Sequence, residues 1–475
     1  MYILKCIILY QSYECWKSLN YMDPILFFST NGNSPKVQLK QALLQGQAPD
    51  RGLYFPDRFP VISQEELLSF EKKTYAEIAF NVLSPYTWGV LEPKVLKDIC
   101  EEAYDFDILL EDVKGCKNVK ILRLDQGPTA SFKDFAARMM ARLIGRFVQE
   151  EGRELTILTA TSGDTGAAVA SAFHNVANIR VLVLFPEKEV SDRQRKQMTS
   201  LDGNITTLAV QGKFDDCQAM VKRAFADPDL NKRLHLSSAN SINIGRLLPQ
   251  SVYYFYAFSR LNGKGLAPII FSVPSGNFGD MMGGMIAWRM GLPIKRIIAS
   301  VNENDEFPVY LSTGNYHKIE PSKNCISNAM NVGHPSNLAR LIKLYHGQMD
   351  ETGRINNKPD FETMLHEVSS FSVSDAETRQ SIKDAWNQYH LLLEPHGAVG
   401  WNGYWRWITG HSEDAQLPAV VLETAHPAKF PREIKNLLGF EPVVPPSLAK
   451  IDQLPESFKR IDADFSAFKD YLMRF

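Results

Sequence analysis

From residue 119 onward, short runs dominated by β-branched and aliphatic side chains alternate with longer stretches whose apolar positions recur at helical spacing. The runs fall at residues 119–124, 155–159, 180–185, 205–210, 268–273, 296–301 and 419–423. A strand buried on both faces needs apolar residues on both, and intervening helices return the chain in the same direction, so the pattern predicts an α/β fold with parallel sheets. The preceding segment reads differently. A short strand is expected at 27–29, and Asn31-Gly32-Asn33-Ser34-Pro35 breaks it with turn-forming residues. A helix follows at 36–45, then a loop at 46–60, and Ser63 with Glu66 forms a capping-box signal ahead of a pattern that stays helical to about residue 107. Its aromatics Phe70, Tyr75 and Phe80 are assigned to the core. Near the other end, residues 376–393 read as a helix leading into a Pro-His-Gly turn, and the Trp-rich stretch 401–407 is assigned to packing.

Open parallel sheets bind ligands where strands end and helices begin, so the strand-end loops carry the candidate chemistry. After the first run comes Asp125-Gln126-Gly127-Pro128-Thr129-Ala130-Ser131-Phe132-Lys133-Asp134-Phe135. On these residues alone, Lys133 is either a solvated first-turn lysine or a buried one whose amine burial frees for imine chemistry. The loop Ala160-Thr161-Ser162-Gly163-Asp164-Thr165-Gly166 either caps a helix or gathers backbone amides around an anion. Pro274-Ser275-Gly276-Asn277-Phe278-Gly279-Asp280 reads as a phosphate cup whose glycines admit close approach, although its spacing fits neither a Walker loop nor a dinucleotide fingerprint. Ahead of another helix, Ser241, Asn243 and Arg246 offer hydroxyl, amide and guanidinium groups, with Arg246 either an anion fork or a structural ion pair. Thr424, after the last run, is either a turn former or a neutral donor to a ring nitrogen.

Composition narrows the partners. The chain has 475 residues, 52 basic and 54 acidic, for a formal net charge of −2, which supplies no general drive toward nucleic acid or membrane. Small molecules are the expected partners, and monomer and homodimer both stay open. The 6 cysteines lack CxxC pairing and metal-ligand spacing, so no metal site or disulfide framework is expected and a reducing cytoplasm fits. The apolar opening carries Lys5 and no small-residue cleavage site, and a globular pattern starts directly after Met22.

Together these stretches resemble the threonine synthases, pyridoxal phosphate enzymes of fold type II with the tryptophan synthase β-like fold. The resemblance runs from the Ser29-Thr30-Asn31-Gly32-Asn33-Ser34-Pro35 and Gly52-Leu53-Tyr54-Phe55-Pro56 pieces through Phe430. It implies two α/β domains with parallel or mixed sheets plus a mainly helical N-terminal domain. The expected division is 1–21, an extension outside the core; 22–110, the N-terminal domain; 111–150 with 236–475, the large cofactor-binding domain; and 151–235, a small inserted α/β domain.

The resemblance also implies roles. Lys133 would join pyridoxal phosphate, flanked by Phe132; Gly276, Asn277, Phe278, Gly279 and Asp280 would hold its phosphate; Thr424 would face the pyridine nitrogen. Asp164 would lie near the phenolic oxygen, and its identity, where many relatives of the fold carry Asn, is similar to bacterial and fungal threonine synthases and argues against the cysteine synthase branch. Ser162, Gly163 and Thr165 would take the substrate carboxylate, and Ser241, Asn243 and Arg246 the substrate phosphate. The implied enzyme is a carbon–oxygen lyase acting on phosphates, converting O-phospho-L-homoserine and water to L-threonine and phosphate by γ-elimination and β-addition of water, the last step of threonine biosynthesis. A phospho-lyase releasing 2-oxobutyrate and a silent pyridoxal phosphate-binding protein are the alternatives.

Overall fold

The structure is a computed structural model that describes residues 23–261 and 266–475, so the expected extension 1–21 lies outside the described residues. All seven strands expected from residue 119 onward form, and they divide between two sheets. The six-stranded sheet runs in the order Val368–Ser372, Ile294–Val301, Ile269–Pro274, Ala419–Glu423, Cys116–Arg123, Leu109–Val113, parallel except for its last, antiparallel pair. The five-stranded sheet is wholly parallel, in the order Lys459–Asp462, Ile205–Gln211, Ile179–Pro186, Leu155–Ala160, Leu236–Ser238. Central strands such as Leu155–Ala160 and Ile269–Pro274 are buried at every position, as their composition demands.

Four strands carry no such run. Leu109–Val113, Val368–Ser372 and Lys459–Asp462 are incompletely buried edge strands, and Leu236–Ser238 is too short to show a period. The last edge corrects the expected division. Residues 236–475 were assigned to the large domain, yet Lys459–Asp462 extends the smaller sheet, and the helix Phe465–Arg474 covers it with Phe468 and Leu472 fully buried. Leu236–Ser238 also pairs there, beside Leu155–Ala160.

The N-terminal segment is helical apart from a two-stranded pair, Phe27–Ser29 with Tyr54–Pro56. The Ser63 cap is one-sided: Ser63 Oγ accepts from Glu66 N at 3.2 Å, but the Glu66 carboxylate turns to Asn81 Nδ2 at 3.0 Å. Phe70 and Tyr75 are buried and Phe80 is half-buried, and Trp401 and Trp407 pack into the core. Among the described residues no helix is long and apolar enough to cross a membrane.

The helix Pro395–Gly410 lies on the larger sheet and contrasts two glycines. A Cβ on Gly397 would fall 1.5 Å from Oε2 of Glu423, whereas one on Gly410 meets nothing within 4 Å. Glu423 is fully buried and its Oε1 is fixed by the Glu394 amide at 2.8 Å, so its carboxyl has nowhere to swing. Gly397→Ala is therefore expected to lower unfolding free energy by about 1–3 kcal/mol through overpacking. Gly410→Ala is expected to be neutral or to raise it by up to about 1 kcal/mol. Denaturant titration of both variants checks the contrast, and equal effects contradict it.

Candidate active site

Lys133 opens the helix Lys133–Glu151, which packs against the helix Asp164–Phe173. Its first turn is anchored by Phe135, whose ring meets Phe106, Tyr75 and Tyr253 edge-on at 5.0, 5.4 and 5.6 Å. The turn before it is held by Asp134, which accepts from Thr129 N at 2.8 Å and Thr129 Oγ1 at 2.6 Å. With both ends fixed, the Lys133 side chain is only 12% exposed, its amine 4.5 Å from the centre of the Phe132 ring. The solvated-lysine reading is thereby excluded. Burial lowers the Lys133 pKa to about 8, with Asp164 opposing the shift and Lys429 and Arg246 adding to it.

Asp164 begins the helix Asp164–Phe173 at the end of a fully buried strand. Its Oδ2 lies 3.8 Å from Lys133 Nζ, while Oδ1 receives Lys429 Nζ at 2.6 Å and Gln194 Nε2 at 2.9 Å. Despite its burial, Lys429 and then Lys133 hold this carboxyl well below the usual carboxylate range. Gly163 has φ +132°, and a Cβ there would strike the Gln194 carboxamide at 2.6 Å, so glycine is what lets Gln194 reach the aspartate. One expectation for this loop needs correcting. The Gly163 amide, expected to face substrate, donates to Thr161 Oγ1 at 2.9 Å, as does that of Gly166 at 2.7 Å. Ser162 and Thr165 are half-buried.

The glycine loop lies close by. Phe278 takes φ +60° just before the helix Gly279–Arg289, and Gly279 has Ser241 Cβ and Gln250 Oε1 at 3.3 and 3.5 Å from its missing Cβ. Asn277 Nδ2 donates to Ser241 Oγ at 2.6 Å and its Oδ1 accepts from Ser336 N at 2.5 Å. The segment Asn328–Met330 packs over Gly276, where a Cβ would come within 2.8 Å of Met330 Cα. Asn328 Nδ2 in turn donates to Gln194 Oε1, and Ala329 N to His396 Nε2, each at 3.1 Å. His396 thus carries its proton on Nδ1, facing Glu394 Oε2 at 2.5 Å.

Thr424 is buried at the end of the Ala419–Glu423 strand, and its carbonyl accepts from Phe132 N at 2.9 Å, bringing it against the lysine turn. Arg246 is 2% exposed; Nη1 donates to Ala239 O at 2.6 Å and Nε has no protein partner. The expected two-armed fork thus has one arm already engaged. Asn243 is corrected outright: fully buried, it donates to Leu43 O and Ser238 O at 2.9 Å and accepts from Gly245 N at 3.0 Å, so it shapes the loop and has no group left for a ligand. Lys429, Gln194, Asn328, Gln250 and Arg340 were not foreseen as site residues. Arg340, fully buried, donates to Tyr54 O at 3.0 Å, Ser241 O at 2.9 Å and Ile242 O at 2.6 Å, tying the N-terminal segment to the 241–242 loop.

These residues fit a phosphorylated pyridine aldehyde. A lysine with a depressed pKa, a glycine loop at the N-terminus of a helix, and the buried Arg246 Nε donor without a protein partner make a site that offers donors to an anion beside a reactive amine. Residues 26–104 match the family described as "Threonine synthase N terminus", 110–417 "Pyridoxal-phosphate dependent enzyme" and 397–472 "Threonine synthase, C-terminal". Threonine synthase of Haemophilus influenzae is 39% identical over 440 residues, 92% of this chain and 97% of the relative. The one from Escherichia coli is 35% identical over 446 residues, 94% of this chain and 99% of the relative. The chain belongs to the threonine synthase family. Its fold agrees: the pyridoxal phosphate-bound threonine synthase from Brucella melitensis superposes with a TM-score of 0.86 at 34% identity, covering 95% of this chain and 99% of that one. Membership makes this a pyridoxal phosphate-dependent lyase of threonine biosynthesis.

Asp280 is a buried carboxyl whose titration bears on stability. Its Oδ1 accepts from the Tyr253 and Tyr254 hydroxyls at 2.5 and 2.9 Å, and burial raises its pKa to about 6 against the pull of those bonds and of Lys133. Because the folded value lies above the unfolded one, the stabilisation is full below pH about 4 and is lost as pH rises through about 6, a change of about 3 kcal/mol. Asp280→Asn keeps an oxygen for both tyrosines and is expected to remove this slope. Urea unfolding of wild type and variant from pH 4 to about 7.5 measures it, and parallel curves contradict it.

Proposed function

We propose that the chain converts O-phospho-L-homoserine and water to L-threonine and phosphate, with Lys133 as the residue that joins pyridoxal phosphate and moves protons. The observation that carries this reading is the Lys133 amine, buried, lowered to a pKa of about 8, and 3.8 Å from a carboxylate already engaged by Lys429. The amides of Gly276, Asn277, Phe278 and Gly279, at the start of a helix, are suited to the cofactor phosphate. Thr424 offers the pyridine nitrogen a neutral hydroxyl partner, and Asp164 stands toward the phenolic oxygen, with Phe132 beside the lysine. Asp280 braces the helix start through its tyrosines rather than facing the phosphate with a free charge.

Pyridoxal phosphate, when bound, supplies a conjugated ring that takes up the electrons left as protons leave the substrate's α and β carbons. Lys133 does the proton work: near pH 8 its amine is poised to accept a proton, hold it and give it back. Ser162 and Thr165 would fix the substrate carboxylate, and Ser241 and Arg246 would meet its phosphate, which leaves from the γ carbon while water adds at the β carbon. The half-exposed Ser241 hydroxyl and the unpartnered Arg246 Nε support that placement. We also place the activity in the cytoplasm, where the free thiols Cys100, Cys116, Cys217 and Cys325 would stay reduced.

Incubation of the purified protein with the cofactor and O-phosphohomoserine, with threonine, phosphate and 2-oxobutyrate measured together, tests the reaction. Equal threonine and phosphate are expected; 2-oxobutyrate in place of threonine identifies the phospho-lyase, and no release of phosphate the silent binder. Lys133→Ala is expected to lose at least about 100-fold in turnover together with covalent attachment of the cofactor. An active variant that still holds the cofactor covalently overturns the role of Lys133.

A further inference from the structure

Two lysines and one carboxylate meet at a buried point, and their contacts are unequal. Lys429 is fully buried, with its amine 2.6 Å from Asp164 Oδ1 and 3.0 Å from the Thr129 carbonyl. Both are acceptors, so Lys429 spends two donors on them. Gln194 adds a third donor to the cluster, reaching the same Oδ1 at 2.9 Å. The orientation of that amide follows from its other end: Gln194 Oε1 accepts from Ser191 N and Asn328 Nδ2, each at 3.1 Å, leaving only Nε2 for the aspartate. Asp164 is thus engaged on the oxygen away from Lys133. Lys133 lies 3.8 Å from Oδ2, inside Coulomb range but beyond a hydrogen bond.

We propose that Lys429 is a positioning residue that serves as the resident counter-ion of Asp164, so that Lys133 is not drawn into that ion pair and keeps a readily deprotonated amine. The proposal rests on the reading of Lys133 given above and deepens it. A single lysine beside a buried aspartate would close a direct ion pair and hold its proton; with the carboxylate taken on Oδ1, the same aspartate orients Lys133 without committing it. Lys429 acts twice, by satisfying Asp164 and by placing a second amine near Lys133. It also braces the turn leading into Lys133, since Thr129 O accepts from both Lys429 and Gln197 Nε2 at 3.0 Å. The other charged groups around Lys133 are Arg246, Glu394 and Asp280, and His396 faces Asp164.

Only a neutral amine reacts with acetic anhydride, so trace acetylation of the full chain before cofactor is added, at a series of pH values, reads the titration of Lys133 by mass spectrometry. Half-labelling near pH 8 is expected for wild type. Lys429→Met is expected to raise it by about one pH unit or more, because Asp164 then turns to Lys133. Should that variant fail to fold, Lys429→Gln, which can still donate to Asp164 without carrying a charge, takes its place with the same rise expected, and Lys429→Arg, which keeps the counter-ion, is expected to stay near wild type. Half-labelling in Lys429→Met or Lys429→Gln that matches wild type overturns the proposal. Because the readout is amine titration before any cofactor is present, it stands apart from whether Lys133 is the cofactor lysine, which Lys133→Ala decides.

Discussion

Burying charge is the constraint around which this molecule is arranged. Asp164 and Lys429 are both removed from solvent and Lys133 nearly so, and each ion taken out of water costs several kcal/mol unless partners replace its hydration. The replacements come from distant parts of the chain: Gln194 from the smaller sheet's layer, Lys429 and Thr424 from beyond the last strand of the larger sheet, and Thr129 from the turn before the lysine. None is useful alone. The fold is the device that holds them within bonding distance long enough for one amine to have a pKa suited to its chemistry.

That requirement explains the architecture. Loops at the ends of strands in both sheets open onto the same space, so the site lies between the sheets rather than on either. The segment Asn328–Met330 links them, with Asn328 reaching the smaller sheet's layer and Ala329 fixed to His396 on the helix covering the larger one. Arg340 does the same for the N-terminal segment, and its guanidinium bonds only to carbonyls and an amide, a set of contacts that costs desolvation and supplies rigidity. Gly163 and Gly276 are among the positions where a neighbour approaches too closely for a Cβ.

Much of this was legible in the residues. Central strands declare themselves by β-branched runs, and the loops after them, with Lys133, Asp164, the 276–280 stretch and Thr424, were identified because parallel sheets put chemistry there. Edge strands were missed because a half-exposed strand such as Lys459–Asp462 has no apolar run, and the return of the chain's end to the smaller sheet is a long-range pairing that no local pattern encodes. Asn243 and Gly163 look like ligand groups by residue type, yet their polar atoms are used within the loops themselves. Lys429 went unassigned for the opposite reason. Nothing near it in the chain says that its partner lies more than two hundred residues earlier; the small neighbours Ala425, Pro427 and Ala428 are the one local sign that this lysine could be buried.

Two buried lysines share one carboxylate and have opposite tasks, one to react and one to remain a counter-ion. Reduction of the cofactor-loaded enzyme with borohydride, followed by peptide mapping, tests that division most directly. The phosphopyridoxyl group is predicted on Lys133 alone, with Lys429 unmodified. Its appearance on Lys429, or on any lysine outside this site, contradicts the account.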